Sequence, residues 1–209
     1  DRLEDEPWVL RMDDDFELTG ETDVAAMREI LERVPDLGVL GDLERQIGDG
    51  KGVFSGQISD AQGFFERRDG TLVRRLLPPE AFDWERAGDH RYARCDFTRN
   101  FLLIRRELLE DVRWDDRLAF AGEHADFLLQ VRESGWGVAF TPDSVHLHRD
   151  DLDEHDGGGT RPGLDAEREV YREKWGVRET RVRRGLRGTL RAGLVRAKLA
   201  ARDALGALR

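Results

Sequence analysis

The stretch WVLRMDDDFEL, residues 8–18, places three consecutive aspartates directly after an apolar run. The run over residues 8–12 predicts a short buried strand that ends at the aspartates. The segment ETDVAAMREILERVPDLG then has apolar residues at helical spacing, with Thr22 as a possible cap and Pro35 ending the helix. LGVLG resumes as a strand. Because strand, carboxylate loop, helix and strand follow in that order, the sequence predicts an α/β sheet.

The next part of the chain continues this alternation. Asp69-Gly70 lies between two runs of strand-forming residues, which predicts a hairpin. LPPEAFDWERAGDHRY is predicted to be a loop, and RNFLLIRRELLEDV a strand that runs into a short helix. GEHADFLLQVRESGWG predicts a helix that stops at Gly135. Two short strands, GVAF and SVHLH, are expected to flank a turn at residues 141–143.

The length of 209 residues fits one domain, and no window approaches the roughly 20 apolar residues of a membrane span. A single cysteine, Cys95, excludes an intrachain disulfide and fits a reducing compartment, so we expect a cytoplasmic protein. The chain begins DRLEDEPWVL, without an initiator methionine, and its first strand follows almost at once. We therefore expect a fragment that lacks its N-terminal strands.

Charge is distributed unevenly along the chain. The formal net charge is −10, yet residues 178–209 carry ten basic side chains against two acids. The acidic body argues against nucleic acid as a partner, since phosphates require a cationic surface. Three segments are expected: residues 1–150 as the main domain, 151–164 as an acidic, glycine-rich linker, and 165–209 as a helical, arginine-rich amphipathic tail.

The tail permits two interpretations. From about residue 182, leucines lie on one helical arc and basic residues on the adjoining arc. Such a helix could dock on an anionic membrane surface, such as the inner face of the plasma membrane. It could equally pack against a protein partner or against the acidic body of the same chain.

The three aspartates suggest a divalent cation, because carboxylate oxygens suit hard ions such as Mg²⁺ and Mn²⁺. Side chains alternate at the end of a strand, so Asp13 and Asp15 can point together while Asp14 points away. An acidic turn that merely solvates the end of the strand is the simpler alternative. The later part of the sequence favours the cation.

Two further pairs of side chains could join such a site. Glu123 and Asp126 lie three residues apart at the start of a helix and therefore share a face, although acids there are also common caps. His146 and His148 alternate along a strand and lie on one side of it. Two histidines near a carboxylate cluster make a metal ligand more plausible than one would.

Taken in order, these motifs resemble the catalytic part of a GT-A glycosyltransferase of the inverting, family-2 kind. The likeness is nearest to β-1,4-N-acetylgalactosaminyltransferase-like and related galactosyltransferase C-terminal domains. It covers residues 7–149 and rests on WVLRMDDDF, NFLLIRRELL, VRWDDRLAFAGEHADFLLQ and GWGVAFTPDSVHLH. The resemblance implies a Rossmann-like nucleotide-diphospho-sugar transferase fold, a mixed sheet flanked by helices.

The resemblance also implies roles for individual residues. DDD corresponds to the family's D-x-D motif, so Asp13, Asp14 and Asp15 would bind the cofactor and donor. Asp15 would hold Mn²⁺ or Mg²⁺ on a nucleotide diphosphate, and Asp13 would face the donor's ribose or sugar. GEHADF matches the motif that supplies the base, with Glu123 as first choice and Asp126 as partner or rival. Many relatives carry an acid where His124 or Ala125 stands here.

The remaining implied residues complete the metal and acceptor sites. His148 is the better match for the histidine that often completes the metal shell, and His146 is second. Asn100 could bond an acceptor hydroxyl, and Trp114 and Trp136 could offer flat faces to a pyranose, although core packing explains both as well.

Together these features predict a metal-dependent inverting enzyme that moves a sugar from a UDP-sugar to a glycan or lipid-linked acceptor hydroxyl. The alternative is a non-catalytic glycosyltransferase-like module that binds a glycan or a partner. A phosphate-transfer enzyme is disfavoured, because DGGGTRPG lacks the lysine of a P-loop.

Overall fold

The computed structural model describes residues 6–47, 56–119, 121–149 and 163–184. Its strands are β1 Trp8–Arg11, β2 Phe16–Glu17, β3 Leu37–Ile47, β4 Gln62–Arg68, β5 Thr71–Leu77, β6 Glu85–Ala87, β7 His90–Cys95, β8 Leu102–Arg105, β9 Gly137–Arg149 and β10 Glu179–Arg184. Its helices are α1 Val24–Arg33, α2 Leu108–Asp111, α3 Glu123–Glu133 and α4 Leu164–Trp175, with one 3₁₀ turn at Pro79–Ala81. These elements confirm the predicted α/β class.

The main sheet has the order β1-β8-β3-β9-β7-β6, and β2 pairs with β9 outside that path. β8 is antiparallel to both β1 and β3, whereas β3 and β9 are parallel. β1, β3 and β9 therefore run in the same direction, and their carboxyl ends lie along one edge of the sheet. The loop that enters the antiparallel β8 reaches the same edge.

Two apolar clusters support the main sheet. The smaller one packs α1 against the sheet through side chains such as Met27, Ile30 and Leu40. The larger one includes α3 and the small sheet described below, with Phe127 and Phe140 fully buried in it. Gly41 in β3 allows a close approach, because a Cβ there would lie 2.5 Å from the hydroxyl oxygen of Thr98. The loop before β8 can thereby rest directly on β3.

A second sheet has the order β10-β5-β4. Asp69 and Gly70 both have positive φ, 47° and 73°, as a two-residue type I′ hairpin turn requires, so the predicted hairpin is confirmed. β10 is parallel to β5, and every residue of β10 is exposed. The prediction of a helix across residues 165–209 is therefore wrong for Glu179–Arg184. Residues 185–209 and most of the predicted linker lie outside the described residues.

Several local predictions differ from the structure. The predicted loop LPPEAFDWERAGDHRY contains the 3₁₀ turn, β6 and the start of β7. GVAF and SVHLH belong to one strand, β9, whose pairing with β3 is irregular between Gly41 and Leu43. β1 is less buried than expected, because Leu10 is 38% exposed, and Met12 just after it is 37% exposed.

The cap of α1 also differs from the prediction. The carboxylate of Asp23 accepts the backbone N–H of Ala26, which makes Asp23 the N-cap. Thr22 donates its hydroxyl to the carbonyl of Val145 on β9 instead. The start of α1 is thereby fixed to the far part of β9.

α4 packs against the main body. Its Tyr171 is 6% exposed and its follower Val177 is 7% exposed, and both join the larger apolar cluster. In the described ranges, no helix has the length and apolar character that crossing a membrane would require.

Candidate metal and acceptor site

The functional side chains meet along the edge formed by the carboxyl ends of β1, β3 and β9. β1 leads to Asp13 and Asp15, β3 contributes Glu44, and β9 contributes His148. The loop before β8 adds Asn100. The sequence separations are large, and the shared direction of the strands explains why these side chains converge.

Asp15 and His148 are 133 residues apart in the chain and directly in contact. His148 Nε2 lies 3.0 Å from Asp15 Oδ2. The pairing of β2 with β9 causes this contact, because Phe16 is the register partner of His148 and the N–H of Arg149 donates to the carbonyl of Asp15. The side chains are 24% and 15% exposed, respectively. The predicted metal ligands Asp15 and His148 are therefore neighbours at the sheet edge.

Glu44 lies behind this pair and was not identified from the sequence. Its carboxylate is 3.2 Å from His148 Nδ1 and 3.1 Å from Arg99 Nε, and its side chain is fully buried. Burial alone would raise the pKa of Glu44, but His148 and Arg99 outweigh it and lower the pKa to about 2. An ionised Glu44 favours the proton of His148 on Nδ1, which leaves Nε2 able to accept or to ligate.

His146 is differently placed, although it is only two residues from His148. Its Nδ1 lies 2.6 Å from Asp42 Oδ1, and both side chains have no exposed surface. The ring packs between Phe16 and Phe101, with centroid distances of 4.3 and 5.0 Å. Burial raises the pKa of Asp42 to about 6 despite the neighbouring imidazole. The structure thus places the second predicted histidine in the interior, in a pair with Asp42 that the sequence did not reveal.

Asp13 and Asp14 face different surroundings. Asp13 Oδ1 is 2.6 Å from the Arg11 guanidinium, and the amide of Asn100 donates to both Asp13 oxygens at 3.1 Å. Asp14 is exposed, in agreement with the alternation expected from the sequence. Arg11, missed in the sequence, compensates the charge of Asp13.

Glu123 begins α3 directly after Gly122, which has a positive φ of 96°. Burial raises the pKa of Glu123, against a lowering effect of the Arg11 cation. His124 Nδ1 is 3.2 Å from Glu123, and His124 Nε2 is 3.8 Å from Asp13. Burial and the cations of nearby arginines, Arg11 first, lower the pKa of His124 to about 3. A neutral His124 therefore leaves the negative charge of Glu123 largely uncompensated at neutral pH.

Asp126, the rival to Glu123, is engaged elsewhere. Its side chain is 1% exposed, and its oxygens accept from Lys174 Nζ, Trp175 Nε1 and Gln130 Nε2 at 2.9, 2.9 and 2.7 Å. Lys174 also pairs with Asp115 at 3.0 Å. These contacts anchor the end of α4 to α3, so Asp126 is a structural carboxylate whose oxygens are occupied.

The two predicted tryptophans lie at opposite ends of the sheet. Trp114 stacks on Phe127 at a centroid distance of 3.7 Å and lies 5.9 Å from the Arg11 guanidinium, next to Asp13. Trp136 precedes β9 at its amino end and packs beside Gly38. The structure therefore does not bring Trp136 to the site, whereas it places Trp114 at its border.

α4 also holds the loop in front of Glu123, a role that the sequence did not indicate. Glu167 Oε2 accepts the backbone N–H groups of Ala119 and Ala121 at 3.1 and 2.8 Å. The Tyr171 ring lies against Gly122, where a Cβ would be only 2.9 Å from Tyr171 Cδ2. The predicted tail thus begins with a helix that positions the loop carrying the candidate base.

A divalent cation fits the Asp15–His148 pair chemically. Asp15 Oδ1 is a buried oxygen with no hydrogen-bond partner among the described residues. A carboxylate oxygen and an imidazole nitrogen suit Mn²⁺, and such ions often take only one or two protein ligands alongside substrate phosphates. Within the described ranges, no group of three or more His, Cys, Asp or Glu side chains is arranged to hold a metal ion.

Models of known protein families give no match to this chain, and curated proteins give none either. Any function assigned to the chain therefore has to come from the geometry and chemistry of its own residues. Those residues form one cluster in which Asp15 and His148 stand beside Asp13 and Asn100, with Glu123 and His124 adjacent to them.

Proposed function

We propose that the chain is the metal- and acceptor-binding part of a metal-dependent inverting glycosyltransferase of the GT-A type. The donor is a UDP-sugar, and the acceptor is a hydroxyl of a glycan or of a lipid-linked sugar. The observation that carries the proposal is the contact of Asp15 with His148, made across 133 residues and leaving one Asp15 oxygen without a partner. Glu123 lies in the cluster that adjoins this pair.

Asp15 and His148 would hold Mn²⁺ or Mg²⁺, with Glu44 orienting the imidazole from behind. When bound, such an ion acts as a Lewis acid that stabilises the negative charge of a leaving diphosphate. Glu44 keeps its own charge because His148 and Arg99 lower its pKa. The imidazole is therefore held with Nε2 toward Asp15 before any ligand arrives.

Glu123 is the residue that would accept the proton of the attacking hydroxyl. Burial raises its pKa toward the range in which a carboxylate is an effective general base. The neutral imidazole of His124, 3.2 Å away, leaves the proton-accepting oxygens of Glu123 without a charged partner there. Asp126 is excluded from this role by its three donors.

Asp13 and Asn100 would orient the sugar between the diphosphate and the base. Arg11 and Asn100 fix the Asp13 carboxylate from two sides. One direct displacement by the acceptor oxygen breaks the bond to the diphosphate and inverts the anomeric carbon. A second carboxylate acting as nucleophile is not required for that outcome.

The test is nucleotide release from a panel of UDP-sugars, using the full reading frame that encodes the chain, with Mn²⁺ and with a chelator. Asp15→Ala and Glu123→Gln should each abolish release, whereas Asp14→Ala, an exposed neighbour in the same turn, should retain it. Wild-type protein that neither binds UDP in the presence of Mn²⁺ nor releases it would contradict the proposal. That result would favour a non-catalytic binding module.

A further inference from the structure

Arg74, in the middle of β5, is a buried cation without a matching anion. Its Nε is buried and has no hydrogen-bond partner among the described residues, and no carboxylate of those residues forms an ion pair with it. The guanidinium lies over the ring of Phe97, 4.3 Å from the centroid. A ring face compensates a buried charge only partly, so a polar group of the ligand is expected here.

The surroundings of Arg74 make its charge more costly. Burial lowers its pKa to about 10, and the cations of Arg99 and Arg184 lower it as well, while Tyr171 and Glu123 act in the opposite direction. Arg184 lies on the same face of the small sheet, because Val182 is the register partner of Arg74. Arg74 is still charged at neutral pH, and repulsion by its neighbours would be relieved by an anion.

The position of Arg74 connects it with the candidate base. Phe97, under the guanidinium, belongs to the loop that also carries Arg99 and Asn100. The Glu123 carboxylate is close enough to stabilise the Arg74 cation, and Arg74 acts in turn on His124. The cation therefore lies beside the base, where the acceptor has to bind.

We propose that Arg74, assisted by Arg99, forms an oxyanion subsite that binds a carboxylate or phosphate group of the acceptor sugar. This inference rests on the proposed function, since it assigns a chemistry to the acceptor of that reaction. Guanidinium groups bind carboxylate and phosphate through paired N–H donors in a planar fork, which a neutral sugar cannot match.

The overall charge supports an anionic acceptor in particular. The protein has a formal net charge of −10, and Asp13, Asp15 and Glu123 line the same edge of the sheet. An anionic sugar approaching that edge is repelled unless local cations receive it. Arg74 and Arg99 supply those cations at the point where the hydroxyl must meet Glu123.

The test is calorimetric titration of the full protein, without donor or metal, with a glucuronate-containing hyaluronan tetrasaccharide and with chitotetraose, a neutral tetrasaccharide. Arg75→Met is the matched control, because Arg75 is the next residue of β5, is exposed, and points to the other face of the sheet. Arg74→Met should weaken binding of the glucuronate tetrasaccharide roughly tenfold or more, the value of one charge-assisted hydrogen bond. Arg75→Met should leave it within about twofold.

Two further arms keep the inference falsifiable. Arg74→Lys retains the cation and should fold even if Arg74→Met does not; it should bind the glucuronate tetrasaccharide more weakly than wild type. Titration with UDP separates the acceptor from the donor diphosphate, and UDP binding should be the same in Arg74→Met as in wild type. Equal binding of the charged and neutral tetrasaccharides by wild type would overturn the inference. So would loss of UDP binding alone in the Arg74 variants.

Failure of the two proposals can be told apart. UDP-sugar hydrolysis or transfer with no role for Arg74 would leave the proposed function intact and remove the oxyanion subsite. Binding of the glucuronate tetrasaccharide that depends on Arg74, in a protein with no affinity for UDP, would do the reverse.

Discussion

Two aspartate–histidine pairs lie side by side on β9 and differ only in their access to solvent. His146 and Asp42 are 2.6 Å apart with no exposed surface, and two phenylalanine rings enclose the imidazole. His148 and Asp15 are 3.0 Å apart at the edge of the sheet, and both retain some exposure. The chemistry of the side chains is the same, so their surroundings decide what each pair can do.

The difference shows how a metal ligand and a core residue can share one sequence pattern. Both histidines lie on the same face of β9, as their alternation predicted. The interior pair can exchange a ligand only if the core opens, whereas the edge pair faces the surface next to Glu123. We therefore expect substitutions at Asp15 to change activity and substitutions at Asp42 to change stability.

The largest expected effect is on activity at the edge pair. Asp15→Ala should lower the rate of sugar transfer about a thousandfold, the equivalent of the several kcal/mol that a bound cation contributes. Its free energy of unfolding in urea should stay within about 0.5 kcal/mol of wild type, because the side chain is partly exposed. A normal rate of transfer in Asp15→Ala, measured with saturating Mn²⁺, would remove the distinction between the pairs.

The interior pair should give the opposite result. Asp42→Ala leaves a buried imidazole without its partner, and the free energy of unfolding should fall by about 3 kcal/mol. The rate of transfer per folded molecule should stay near that of wild type. Urea titration combined with an activity assay at low temperature measures both quantities, and a stable but inactive Asp42→Ala would show that the interior pair serves the reaction.

A third pair tests whether burial sets the effect of an acidic residue generally. Lys174→Met removes the cation from the buried Asp126, and we expect a loss of about 2 kcal/mol of unfolding free energy, less than for a fully buried pair because Lys174 is 24% exposed. Arg168→Met, on the same helix and paired with the exposed Asp165, is the control and should change stability by less than about 0.5 kcal/mol. Equal losses in both variants would contradict the role assigned to Asp126.

The smallest expected effect is a shift in pH dependence. Glu123 must be ionised to accept a proton, burial raises its pKa, and Arg11 lowers it. Removing the cation in Arg11→Met should therefore raise the pKa further, so that kcat/KM is lost at a higher pH on the acidic limb. We expect a shift of about half a pH unit or more. Arg86→Met, an exposed arginine on β6, should leave the limb where it is.

Much of the fold could be predicted because its signals are local. The helical spacing before Pro35, the Asp69-Gly70 turn and the stop at Gly135 each act within a few residues, and all three agree with the structure. The error in the tail has the same origin, since leucines at helical spacing follow directly after TRVRR. The alternation within Glu179–Arg184 is a strand pattern, but its pairing with β5 is a distant contact.

The site was predictable only where pattern and order coincided. Asp15, His148 and Glu123 came from the resemblance, and the structure places them in adjoining contacts along the same edge. Glu44 and Asp42 were missed because the strand was expected to end at Gly41, whereas β3 continues to Ile47. Two acids at alternate positions of an otherwise apolar strand were the available signal.

Asp126 shows a different limit. Its spacing from Glu123 correctly predicted neighbouring positions in the first turn of a helix. Its partners Lys174 and Trp175 lie 48 and 49 residues further along the chain, and no local pattern connects them with α3. The choice between two possible bases therefore required the tertiary structure.

The parallel pairing of β10 with β5 has a consequence for the order of folding during synthesis. Arg67 donates to the carbonyl of Trp175, 108 residues along the chain, so the hairpin β4–β5 is complete long before its third strand exists. At about 5–20 residues per second, the outer edge of β5 stays open on the ribosome for roughly 5–20 s. An open edge invites pairing with another nascent chain, and charged side chains on the strand oppose it. Arg74 and Arg75, in the middle of β5, would protect the growing chain in this interval.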